Sequence, residues 1–101
     1  MSHTAADIAR LNPQRIERMR ALLEAAFAPQ SLEIVDDSHK HAGHSGGAQG
    51  HGHFSVHIVS AAFTGMSPVA RHRAVYAALG EMMQTDIHAL AIRAQTPDEA
   101  G

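Results

Sequence analysis

The sequence predicts a small α+β domain of order αββαβ, two layers deep, with a three-stranded mixed sheet and both helices on one face. Three observations carry this. Apolar residues recur at a helical period after Pro13, two period-two segments bracket a histidine- and glycine-rich run, and a second helical stretch leads into the apolar segment HALAIRA. A chain of 101 residues fits one domain, with the ordered core expected over about 13–97 and a flexible His/Gly loop over 39–53.

The first helix is expected to open at Asn12-Pro13, an N-cap residue followed by proline at the first helical position. Ile16, Met19, Leu23 and Phe27 then form its apolar stripe, with Arg15, Glu17, Arg18 and Glu24 mostly on other faces, and Pro29 follows its end. Leu32 and Ile34 alternate with Glu33 and Val35 as a short strand, which Asp36-Asp37-Ser38 turns out of the sheet. Phe54, Val56 and Ile58 repeat the alternation, so the two strands read as a long-looped hairpin. The stretch FTGMSP supplies a turn, a capping serine and an N1 proline. The helix after it is expected to place Val69, Tyr76, Leu79 and Met83 on one stripe, with Arg71, His72 and Arg73 in its first turns. His88–Ala94 reads as the last strand, with His88 sharing parity with Leu90 and Ile92, and Thr96–Glu99 as a polar tail. A strand-helix-strand unit calls for a parallel crossover, which makes the sheet mixed and leaves its other face open to a partner.

Composition narrows the function classes. Hydrophobic residues make up 45% of the chain and charged residues 18%, which is ordinary for a globular domain, and the formal net charge of −2 gives no global pull toward nucleic acid or anionic membrane. The N-terminus has no apolar segment of signal-peptide length and no stretch approaches a membrane span, so a cytoplasmic location is expected. With no cysteine, the chain offers neither a disulfide framework nor a thiolate ligand. Five of the fifteen residues from His39 to His53 are histidine, interspersed with glycine. Neutral imidazole is a common transition-metal ligand, so any iron–sulfur chemistry here must take its sulfur from elsewhere. Taken alone, the run reads first as a solvated, glycine-rich connection. Asp36 and Asp37 read as turn residues, with no nucleophile, phosphate loop or H-E-x-x-H motif beside them, and the sequence holds no catalytic constellation.

The stretches LEIVDDS, HAGH, HFSVHIVSAAFTG, RHRAVYAAL and IHALAIRAQTP, taken in order, resemble the BolA family over nearly the whole chain. The resemblance implies a fold related to the class II K-homology topology, and a non-enzymatic partnership with a monothiol glutaredoxin in which the pair shares a [2Fe-2S] cluster for iron–sulfur trafficking or iron regulation. His88 in H-A-L matches the family's C-terminal histidine ligand and His41 its variable loop ligand, with His39 and His44 as alternatives in this histidine-dense loop. The glutaredoxin's cysteine and a bound glutathione thiolate would supply the sulfur. Imidazole in place of thiolate removes negative charge from such a cluster and tends to raise its potential.

A second reading, which the resemblance also permits, is a DNA-binding transcriptional regulator using Arg71 and Arg73 at a helix start, with Lys40 adding weak steering. A K-homology RNA clamp needs a GXXG loop, which FTGMSP does not provide. A third is a histidine-loop buffer for zinc, nickel or copper. Self-association as a homodimer is compatible with all three.

Overall fold

A computed structural model describes residues 5–37 and 52–101, with side chains from Asn12 onward in the first helix. The elements are α1 (Ala5–Phe27), β1 (Ser31–Asp36), β2 (Gly52–Val59), a 3-10 turn (Ala61–Phe63), α2 (Pro68–Leu79), a single-turn α3 (Met82–Thr85), β3 (Ile87–Gln95) and a single-turn α4 (Pro97–Ala100). The sheet order is β1-β2-β3, antiparallel between β1 and β2 and parallel between β2 and β3. This is the mixed three-stranded sheet that the element order predicts.

The core forms where the two periodicities meet. Met19 and Leu23 of α1 and Val75 and Leu79 of α2 are buried against Phe54, Val56 and Ile58 of β2, with Phe63, Met82 and Ile87 completing the cluster. Leu32, Ile34, Leu90 and Ile92 pack around it from the flanking strands, so both helices cover the same sheet face. Removing this apolar surface from water is the main term holding so small a domain together. On the other face Glu33, Val35, Ala91 and Arg93 are exposed.

Four local expectations are corrected. Helix α1 begins at Ala5, so Asn12 is no N-cap and Pro13 lies inside the helix. Proline there removes one backbone hydrogen bond, and Asn12 is instead buried in a tertiary network. Arg15, expected toward solvent, is also buried, at 7% exposure. The stripe of α2 is rotated: Val75 faces the core, while Val69 and Tyr76 are 58% and 40% exposed. PVARHRAVYAAL carries small or apolar residues all round, so its period does not select one face. Gly80, at φ +56°, then ends the helix and assigns Met82 and Met83 to a separate turn. Finally, Thr96-Pro97-Asp98-Glu99 is a capped helical turn, in which Thr96 and Glu99 satisfy each other's backbone amides.

The buried network sits at one end of the sheet. Arg15 Nε donates to Asp86 Oδ1 at 3.1 Å and its NH1 to Asn12 Oδ1 at 2.9 Å, while Asn12 Nδ2 donates to Asp36 Oδ2 at 3.0 Å. Gly52 N donates to the Asp86 carbonyl at 2.8 Å, and Asp37 N to the His53 carbonyl at 2.7 Å. These contacts tie α1 to the end of β1, the start of β2 and the residue before β3. A Cβ at Gly52 would fall onto the Phe54 ring and lie 3.1 Å from Asn12 Oδ1, so the close approach requires glycine.

Removing Arg15 takes away the charge partner of the partly buried Asp86 and one hydrogen bond of Asn12. Arg15→Ala is expected to lower unfolding free energy by about 3 kcal/mol, the low end for breaking a buried pair because Asp86 keeps some solvent contact. Urea denaturation measures this, and a change below about 0.5 kcal/mol would contradict a structural role for the guanidinium.

Candidate functional site

The end of the sheet that the Arg15 network ties down is where the described histidines of interest converge. Gly52 pairs with Ile87 and His53 with Ala89, so His88 is an extra residue in β3, a bulge in a parallel ladder. Bulges are uncommon in parallel pairs, and they recur beside functional sites because they re-aim a side chain. Here the bulge breaks the alternation. Ile87 is buried, Leu90 and Ile92 face the core, and His88 and Ala89 are both exposed. The expected shared parity of His88 with Leu90 and Ile92 is thereby overturned, and His88 is presented at the sheet end rather than held in the core.

His53 lies beneath it. Its ring is buried, at 6% exposure, and its centroid stands 4.9 Å from that of His88 with the planes tilted by 48°. Asp37, His53, Ala89 and Ala91 help to line a shallow concavity next to this pair. Ser55 Oγ donates to Asp37 Oδ2, and His57 Nε2 donates to Gln95 Oε1 at 2.7 Å further along the same face. Asp36 is the last residue of β1, paired with Phe54, so its turn reading is corrected, while Asp37 follows the strand at the neck of the hairpin.

His41, His39, His44 and Lys40 lie outside the described residues. Among the described residues, no group of three or more histidine, cysteine, aspartate or glutamate side chains is placed to enclose a metal ion. The described fold therefore does not form a closed site of its own. It offers an accessible imidazole at His88, beside the neck of the hairpin.

The basic start of α2 divides. Arg71 is taken up within the fold: Nε donates to the Met66 carbonyl at 3.0 Å, NH1 to the Ala94 carbonyl at 3.0 Å, and NH1 and NH2 to the Glu99 carboxylate at 2.6 and 3.2 Å. It clamps α2 to β3 and α4, so the expectation of an outward phosphate contact is corrected for Arg71. Arg73 and His72 are exposed, on the face shared with Val69 and Tyr76. The buried partners Asn12 and Arg15 and the buried His53 ring next to His88 were not singled out as site-shaping residues by sequence reasoning. The readable signal was the Gly52-His53 pair directly before an apolar alternation.

A mixed three-stranded sheet covered by helices on one face, with an exposed histidine at a bulge near one end, defines a small α+β domain. The chain belongs to the BolA-like protein family, which matches residues 23–99. It is 44% identical to the BolA domain of SufE1 from Arabidopsis thaliana, whose solved structure superposes with a TM-score of 0.75 over 84% of this chain and 94% of that one. It is 45% identical to the chloroplastic protein BOLA1 of the same plant over 85% of this chain and 56% of that protein, and 42% identical to the DNA-binding transcriptional regulator BolA of Escherichia coli K12 over 82% and 76%. It spans only 24% of the SufE-like protein 1 of Arabidopsis thaliana, so among its relatives the domain also occurs as part of longer proteins. No helix among the described residues is long and apolar enough to cross a membrane.

The Arg71 clamp has a pH signature. Hydrogen bonds from Arg71, then from the Thr96 backbone, hold the Glu99 carboxyl at about 2, below its ordinary 4.5, and the same contact with Glu99 raises Arg71. Because the folded value is the lower one, ionised Glu99 favours the folded state above about pH 4.5, and this contribution fades as pH falls toward 2. Glu99→Gln is expected to flatten the thermal-stability profile across that window. A variant that keeps the parent's acid slope would contradict the assignment.

Proposed function

We propose that this chain is a non-enzymatic adaptor that binds a monothiol glutaredoxin and co-ligates a [2Fe-2S] cluster, in iron–sulfur assembly, trafficking or iron regulation. His88 supplies one imidazole. A histidine of the 39–53 run, headed by His41 with His39 and His44 as alternatives, supplies the other, and the partner's cysteine and glutathione supply sulfur. The observation that carries this reading is the exposed His88 at a bulge beside the hairpin neck, in a BolA-family chain without cysteine. Four Cα–Cα steps lead from Asp37 to His41, a reach of at most about 14 Å, so the His41 backbone is tethered within that distance of the neck.

Bound there, the cluster supplies electron-transfer or transferable iron–sulfur chemistry. This chain's part is to offer neutral nitrogen donors, which leave the assembly less negative than all-thiolate ligation does. The exposed bulge lets His88 meet a group carried on another protein without opening the core. The family membership supports the partner class.

The second reading is a DNA-binding regulator. It draws on the name of the Escherichia coli relative and on the outward face of α2, where His72 and Arg73 are exposed on a helix with no acidic residue. With Arg71 taken up by Glu99, that surface has lost one of its two arginines, which favours the adaptor. Salt-dependent duplex binding that fails in Arg73→Ala would reverse the order.

His88→Ala, co-purified with a monothiol glutaredoxin and glutathione, is expected to retain at least about tenfold less cluster, since even residues one step removed from a metal commonly cost that much. Iron and sulfide content and the visible spectrum measure it, with far-UV circular dichroism unchanged because His88 is exposed. Full cluster content both in this variant and in one lacking His39, His41 and His44 would overturn the proposal.

A further inference from the structure

We propose that His53 is a positioning residue for His88: its buried ring is the platform on which the exposed imidazole rests, aiming that imidazole away from the sheet. The inference rests on the reading of His88 as the fold's donor and adds how the donor is held.

Four observations converge on it. The rings stand at 4.9 Å between centroids with a 48° tilt, within the geometry of favourable aromatic pairs. His53 is buried and His88 exposed, so one ring is fixed by its surroundings and the other leans on it. The bulge leaves His88 without a register partner across the ladder, so its direction is not set by ordinary pleating. The backbone beneath the platform is pinned on both sides, by Asp37 N to the His53 carbonyl at 2.7 Å and by Gly52 N to the Asp86 carbonyl at 2.8 Å.

The physical consequence is a smaller entropy loss on coordination. A surface histidine samples several rotamers and must give them up when its nitrogen engages a metal. A ring against one face of the imidazole removes part of that freedom beforehand, and the open face remains for the incoming group. One donor is then preset before binding.

Two substitutions that both fill the buried site separate the platform from simple packing. His53→Phe keeps an aromatic face without nitrogens, and His53→Leu keeps apolar volume without a ring. In the isolated full chain, side-chain three-bond couplings of His88 are expected to show one dominant rotamer in the parent and in His53→Phe, and averaging in His53→Leu. In the complex with a monothiol glutaredoxin and glutathione, release of the cluster to a chelator is expected to quicken about 2- to 10-fold for His53→Leu, the range that loss of an aromatic contact gives, and to stay near the parent rate for His53→Phe. His88 rotamers and release rates unchanged in His53→Leu would overturn the proposal, as would His53→Phe behaving like His53→Leu. If His88→Ala leaves the cluster intact, the ligand reading fails instead, and the couplings still report whether His53 orients His88.

Discussion

One guanidinium organises the end of the sheet that matters. Arg15 projects from the middle of a long helix into a nearly dry pocket, and it touches Asp86 just before β3 and Asn12 one helical turn back. Asn12 in turn grips Asp36 at the end of β1. A charge in that position is tolerated because it is paired with an opposite charge and hydrogen-bonded to an amide. The helix, the hairpin neck and the entry to the third strand are therefore fixed relative to one another by polar contacts with definite directions, which apolar packing alone does not supply.

That constraint is what makes a bulge useful. With Asp86 anchored and Gly52 bonded to its carbonyl, β3 starts from a set point, and the extra residue appears at His88 rather than being absorbed by slippage along the ladder. The opposite end is closed differently. Ser60 Oγ donates to the Phe27 carbonyl at 2.6 Å and its amide to the Gln95 carbonyl at 2.9 Å, while Arg71 ties α2 and β3 to the last helical turn. Between these two polar clamps lies the apolar core. A small domain with one covered sheet face can thus hold its ends still while a long connection leaves from one of them.

Much of this was legible in the sequence, and the exceptions share a cause. The strands, their pairing and the Ser67-Pro68 helix start followed from short-range periodicity and capping chemistry, which act over a few residues. The stripe of α2 was misread because Val69, Val75, Tyr76 and Leu79 populate more than one face, so only tertiary packing selects among them. Asn12-Pro13 has the form of a helix start, yet Asn12 is needed by Asp36 and Arg15, and the helix runs through it. Arg15 and Arg71 look like solvated charges in sequence, and their partners lie 71 and 28 residues away. His88 was found as a candidate from its place in H-A-L, but its exposure arises from a bulge, which no alternation pattern encodes. The loop donors His39, His41 and His44 belong to the segment outside the described residues.

The central claim is that nitrogen from this polypeptide completes a di-iron centre whose sulfur comes from its partner and glutathione. Pulsed paramagnetic resonance on the reduced heterocomplex tests it most directly, with 15N-histidine incorporated into this chain alone and natural-abundance glutaredoxin. The account predicts strong hyperfine couplings from two directly coordinated 15N nuclei. A reduced cluster without such couplings would contradict it.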